Sequence, residues 1–210
     1  LKVGELCAAL TRVMKTELFA QGYIQADETP VGVQSSRSQG KNHQAYVFQY
    51  SHPRGTAIFD FKCSRERAGP RMFLQGFKGV LQTDGYTGYD KFEEESIVRI
   101  GCMAHIRRKF FDAHKVAKED PKPREIVEQI AGLYQIEKQA REAQLNPEQR
   151  KALRQEKSVP LLAALKERIL ELRQDPKVLP KSLLGRACSY ALNQWERTIK
   201  YVDHGEVEID

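Results

Sequence analysis

The sequence predicts an α/β chain in which a mixed sheet comes first and a block of helices follows, with the change near Cys102. Three observations predict it. Period-two alternation around a turn signal marks an antiparallel hairpin, and a connection of helical length leads from it to a second apolar strand. Beyond Cys102, apolar residues recur at helical spacing between prolines.

Residues 1–20 carry Val3, Leu6, Leu10, Val13 and Met14 at helical spacing, with Gly22 as the stop. Residues 23–34 are β-branched and aromatic, and Pro30 interrupts them. Because proline has no backbone donor, this strand is expected to be bent, bulged or at an edge there. Residues 45–50 and 56–61 alternate around His52-Pro53-Arg54-Gly55, which suits a type I turn. Their aromatic residues Tyr46, Phe48, Tyr50, Phe59 and Phe61 read as sheet core rather than as a base-stacking surface. Residues 65–77 have helix-like apolar positions weakened by Gly69-Pro70. Residues 79–84 read as a buried strand ending on a carboxylate, and 97–100 as a short strand after the acidic run Glu93 to Glu95.

Helices are then expected over 104–118, 124–145, 148–174 and 182–204, broken at Pro121/Pro123, Pro147 and Pro176/Pro180. Leu162, Leu165, Ile169 and Leu172 make one apolar stripe, and Leu184, Cys188, Ala191, Trp195 and Val202 another. Each needs a partner surface.

With 40% hydrophobic and 30% charged residues among 210, the composition sets aside disordered, collagen-like and disulfide-scaffold classes. No apolar run is long enough for a membrane helix, and no signal peptide is evident. Four scattered cysteines without a CxxC pair suit a reducing cytoplasm. The net charge of +6 permits a nucleic-acid partner, and its distribution is more specific. Residues 106–118 hold Arg107, Arg108, Lys109, Lys115 and Lys118 against Asp112 alone. On a helix, Ile106, Phe110, Ala113 and Ala117 share one face, whereas Arg108, Lys115 and Lys118 share another with Phe111. That second face is either a solvated charge run or a surface for DNA phosphates.

Asp27 and Asp84 stand out by position. If their strands are adjacent and parallel, both carboxylates reach one point, and paired carboxylates suit Mg²⁺ or Mn²⁺ in phosphodiester chemistry. The competing reading is a turn role, since Asp84-Gly85 is a common turn dipeptide. Cys102 and His105 invite a zinc reading, but structural zinc wants four ligands and no second pair has suitable spacing. Arg65, Arg67 and Arg71 form a second basic group that either lines a donor-DNA channel or pairs with Glu66 and the Glu93 to Glu95 loop. Glu137 reads as a helix-surface residue within an amphipathic pattern.

Three segments together resemble one family. Ala26-Asp27-Glu28-Thr29-Pro30-Val31, Leu81-Gln82-Thr83-Asp84-Gly85-Tyr86-Thr87-Gly88-Tyr89 and Gly101-Cys102-Met103-Ala104-His105-Ile106-Arg107-Arg108-Lys109-Phe110-Phe111 are similar to the insertion-sequence-66 bacterial transposases. Leu133-Tyr134-Gln135-Ile136-Glu137 and Ala191-Leu192-Asn193-Gln194-Trp195 extend the likeness to Ile209-Asp210. The resemblance implies a ribonuclease H-like mixed sheet with a large α-helical insertion and a metal-dependent Asp-Asp-Glu active site. Asp27 then looks like the first catalytic, metal-binding carboxylate and Asp84 the second, with Cys102 and His105 near the site. His105 reads equally as a buried helix-start histidine.

The organisation this implies is a lead-in helix (1–21), a catalytic core (22–101), a helical insertion (102–205) and a return toward the core (206–210). Asp210 looks like the opening residue of the family's Asp-Asn-Asn-x-x-Glu segment, so the third carboxylate is expected beyond the sequence in hand and this chain by itself is expected to be inactive. Glu206 and Glu208 do not match that motif. The implied function is cleavage of transposon ends and strand transfer into target DNA, by a homo-oligomer on DNA in a bacterial cytoplasm at the nucleoid. The rivals are a truncated, non-catalytic DNA-binding or assembly remnant, and a ribonuclease H-like nuclease unrelated to transposition.

Overall fold

The structure is a computed structural model that describes residues 2–34, 42–90 and 96–210, with side chains from Cys7 onward. The acidic run Glu93 to Glu95 lies outside the described residues. The chain divides into two compact units, Leu1–Arg99 and Ile100–Asp210.

The first unit runs α1 (Lys2–Ala20), β1 (Tyr23–Gln34), β2 (Asn42–Ser51), β3 (Ala57–Lys62), α2 (Ala68–Leu74), β4 (Gly79–Thr83) and into β5 (Ile97–Gly101). The sheet is mixed, in the order β3-β2-β1-β4-β5. β1 is antiparallel to β2 and parallel to β4. The helical crossover expected between the hairpin and β4 is α2, shorter than 65–77 because Pro70 is tolerated only in a first turn.

Pro30 sits in unbroken register opposite Tyr46, so there is no bulge. The reason is that β4 pairs only with Tyr23–Ala26, which leaves the rest of β1 without a β4 neighbour that would need Pro30's missing donor. The hairpin turn also differs from expectation. Gly55 N donates to His52 O at 3.0 Å, and Arg54, the third turn residue, has φ 61°. A positive φ there excludes type I and is the mark of type II.

One face of the sheet carries Ile24, Ala26, Phe48, Tyr50, Ile58 and Leu81, buried against Leu18 of α1 and Leu74 of α2. Phe59 and Phe61 lie on the other phase of β3 and are 66% and 51% exposed, so the expectation of core fails for them. Period two assigns them to the face that α1 and α2 do not cover. At the start of β4, Gly79 has φ 136°, and the Gly22 carbonyl occupies the space a Cβ would need. Val80 N donates to that same carbonyl at 2.8 Å, which pins the β1–β4 register.

The second unit is helical: α3 (Met103–Val116), α4 (Pro121–Glu142), α5 (Pro147–Leu153), α6 (Val159–Gln174) and α7 (Leu183–Thr198), ending in a 3-10 turn, Ile199–Asp203. Pro121 does not break α4 but opens it, with the Asp120 side chain accepting from Lys122 N at 3.1 Å. Asn146 and Gln149 form a capping box at α5. The single helix expected over 148–174 is interrupted by a π turn, Arg154–Ser158. Pro160 follows it in the first turn of α6, and a proline there denies the Glu156 carbonyl its helical donor and crowds it. Val159 N reaches back to Arg154 O instead.

Both predicted stripes are buried, Leu162, Leu165, Ile169 and Leu172 on α6, and Leu184, Cys188, Ala191 and Trp195 on α7. Each leucine-sized side chain so buried contributes about 1.5–3 kcal/mol. Glu137 is the exception to the surface reading, because it is 0% exposed. It is buried because Arg154, inside the π turn, and Arg150 turn their guanidinium groups onto it. Among the described residues, no helix is long and apolar enough to cross a membrane.

Candidate active site

The parallel β1–β4 register ends with Ala26 opposite Thr83, so the next residues in each strand direction are Asp27 and Asp84. Gln25 and Gln82, one step earlier, share a face and are joined by a 3.1 Å hydrogen bond. Side-chain alternation puts the two aspartates in the same phase as those glutamines. Their own hydrogen bonds are local: Asp27 Oδ1 accepts from Glu28 N at 3.0 Å, and Asp84 Oδ1 from Tyr86 N at 2.8 Å. The Asp84 bond is an Asx turn, so the turn role weighed from sequence is present.

Glu28 takes the opposite phase of β1 and is drawn inward, its side chain only 2% exposed. The Arg65 guanidinium pairs with its Oε1 through Nε (2.9 Å) and Nη2. Its Oε2 is buried with no hydrogen-bond partner among the described residues. Burial pushes the Glu28 carboxyl up to about 7; the Arg65 hydrogen bond opposes that rise, and the charges of Asp84 and Asp27 add to it. Arg65 is held from its other side by Tyr86, whose ring centroid is 4.0 Å from the guanidinium carbon. Arg65 thus pairs with Glu28, which is not among the glutamates expected for it from sequence.

Arg99 organises the turn that carries Asp84. It is 1% exposed, and it donates to Thr83 Oγ1, Asp84 O and Tyr86 O, each at 3.0 Å, and to Asp90 Oδ1 at 2.5 Å. A planar guanidinium with five donors suits this task, and a lysine would not reach these acceptors together. Sequence reasoning missed Glu28 and Arg99. The signals were a carboxylate on the core-facing phase of β1 and a single arginine within the short apolar run of β5.

In the second unit, Cys102 is the N-cap residue of α3 and gives it no side-chain cap. Burial raises the pKa of the Asp210 carboxyl above its ordinary value. Hydrogen bonds from Tyr134 and the Ala104 backbone oppose that rise, and His105, one turn into α3, is among the smaller contributors. Tyr134 Oη donates to Asp210 Oδ1 at 2.6 Å. Arg107, Arg108 and Lys115 line one groove with Phe111. Lys109 turns elsewhere, over the Tyr190 ring at 5.6 Å, and Lys118 lies beyond the end of α3. The basic cluster of the sequence is thus divided in space. Glu208 pairs with Arg150 at 2.6 Å and Glu206 with His204 at 3.2 Å.

Asp27 and Asp84 offer hard carboxylate oxygens of the kind Mg²⁺ and Mn²⁺ take. Among the described residues no group of three or more His, Cys, Asp or Glu side chains is arranged to hold a metal ion.

The family described as transposase IS66 family matches residues 1–210. Three uncharacterized proteins of Sinorhizobium fredii (strain NBRC 101917 / NGR234) are similar. The protein y4jD is 36% identical over 157 residues, covering 71% of this chain and 30% of that protein. The protein y4qI is 31% identical over 201 residues, covering 88% of this chain and 36% of that protein. The protein y4hP is 28% identical over 238 residues, covering 98% and 41%. The chain thus spans less than half the length of these relatives. No solved structure matches it. With the family match running the full length and two relatives above 30% identity, the chain belongs to the IS66 family of transposases.

Proposed function

We propose that this chain supplies two metal-binding carboxylates, Asp27 and Asp84, of a DNA transposase that cleaves transposon ends and transfers them into target DNA. The observation that carries the reading is the β1–β4 register, which pairs Ala26 with Thr83, so that the family aspartates Asp27 and Asp84 follow directly on neighbouring parallel segments. The strand order β3-β2-β1-β4-β5, antiparallel across β1–β3 and parallel at β4, supports a ribonuclease H-like core. The helices after Cys102 support the reading of an α-helical insertion.

The chemistry that bound Mg²⁺ or Mn²⁺ supplies at such a pair is activation of water or a 3′-hydroxyl and neutralisation of charge at the phosphoryl group. The chain's own residues do the rest. Asp27 and Asp84 bind, Arg99 holds the Asp84 turn in place, and Arg65 holds the Glu28 carboxylate that neighbours them on β1. The basic residues of α3 contact the DNA backbone without reading sequence.

Iron-directed cleavage tests the assignment. Fe²⁺ in place of Mg²⁺, with ascorbate, is expected to cut the polypeptide near residues 27 and 84, and Asp27→Asn or Asp84→Asn to abolish both cuts without changing the circular dichroism. Cuts that persist in both variants, or that map elsewhere, overturn it.

A further inference from the structure

We propose that the groove between α3 and α4 is a binding site for one unstacked nucleotide of single-stranded DNA, with the base against Phe111 and Tyr134 and its phosphates on Arg107, Arg108 and Lys115. The inference rests on the reading of DNA as the partner and adds which form of DNA this unit takes.

The groove has a volume of about 690 Å³, and all of its lining residues belong to the second unit. That is within the size range of small-molecule sites and accepts one nucleotide. A duplex cylinder is too wide to enter such a concavity. The aromatic wall is what separates this surface from a plain phosphate-binding patch. Phe111 is half-buried, and its ring is flanked by Lys115 Nζ at 4.7 Å from the centroid and the Arg107 guanidinium at 5.6 Å. Cations are therefore already gathered around the ring. A base on an aromatic ring with phosphates on adjoining cations is the shared chemistry of single-strand sites.

Across the groove Tyr134 is held by its 2.6 Å hydrogen bond to Asp210. The same bond occupies Asp210, one of two carboxylates on the lining, the other being the exposed Asp112. Three cations thus outnumber the two acids, and one of the acids is engaged within the protein. The arrangement is prepared before ligand arrives, because α3 and α4 are fixed by buried Ile106, Phe110, Ile130 and Leu133 behind the groove.

The test uses the 210-residue chain with a fluorescent single-stranded 12-mer, a blunt duplex of equal length, and a single-stranded probe carrying 5-iododeoxyuridine. Phe111→Leu is expected to weaken single-strand binding roughly ten-fold while duplex binding changes less than about two-fold and the melting temperature holds. Arg108→Gln is expected to weaken the single-strand complex and to lower its salt dependence by about one ion. Photocrosslinks are expected on peptides bearing Phe111 or Tyr134. If Phe111→Leu affects both forms equally or neither, or if crosslinks fall only outside these peptides, the groove assignment is wrong although DNA remains the partner. If neither DNA form binds at all, the groove assignment and DNA binding by this chain fall together. In that case the iron-cleavage result still judges Asp27 and Asp84 separately.

Discussion

Arg154 donates to both carboxylate oxygens of Glu137, Nε to Oε1 and Nη2 to Oε2, each at 2.8 Å, with both residues 0% exposed. Its remaining donors go to the carbonyls of Tyr201, His204 and Val207, each at 2.8 Å. Two helices and the segment after α7 are therefore tied at one buried point.

Breaking that point is expected to be costly. Glu137→Ala leaves a buried guanidinium without its counter-charge and should lower unfolding free energy by about 3–5 kcal/mol in urea titrations. The double replacement Glu137→Leu with Arg154→Met should cost less than either single change, because no charge is then left buried and unpaired. A double variant as unstable as the sum of the singles would show that the contacts to the backbone carbonyls dominate.

The same pair sets an acid limit. Burial alone pushes the Glu137 carboxyl up, but hydrogen bonds and charge from Arg154 and Arg150 outweigh it, so its pKa is held below the ordinary value of 4.5. A carboxyl with a depressed folded pKa stabilises the fold above its unfolded value and loses that contribution as pH falls through the folded one. Stability of the native chain should therefore drop more steeply below pH 4.5 than that of Glu137→Gln, as read from urea midpoints between pH 3 and 6.

Arg99→Met removes three hydrogen bonds from the Asp84 turn and a fourth to Asp90. We expect a loss of about 3 kcal/mol and, under the two-carboxylate proposal, a roughly ten-fold weaker Mn²⁺ site by calorimetry. Arg99→Lys should restore little of either, since an ammonium lacks the fork.

Two glycines separate backbone strain from steric contact. Gly76 has φ 83° with open space around a built Cβ, whereas Gly79 has φ 136° with the Gly22 carbonyl in the way. Gly76→Ala should cost about 1 kcal/mol and Gly79→Ala at least twice that, with the β1–β4 register disturbed. Equal melting temperatures for the two variants would refute the steric account.

Much of the architecture was legible because it follows from local periodicity. The alternation of β2 and β3, the stripes at Leu162 to Leu172 and Leu184 to Trp195, and the helical block after Cys102 all hold. The misses came where a residue's neighbours are distant in sequence. Phe59 and Phe61 alternate as core residues do, but which face of a strand is covered depends on where α1 and α2 pack. Pro30 argued for an edge, a bulge or a bend, and the short β4 pairing left an edge without a bulge.

For the candidate site, the sequence by itself determined the residue types and family motifs: Asp27, Asp84, the Cys102 to Phe111 segment and its positive charge. Only the tertiary structure decided that Glu137 is a buried ion-pair partner, that Arg99 cages the Asp84 turn, and that Lys109 and Lys118 part from the groove formed by Arg107, Arg108 and Lys115. The physical reason is the range of the forces concerned. Hydrophobic periodicity and turn chemistry act within a few residues, so they are written in local sequence. Burial of a charge depends on partners such as Arg154 and Glu137, seventeen positions apart, or Arg154 and Val207, fifty-three apart, and exists only once the chain has brought them together.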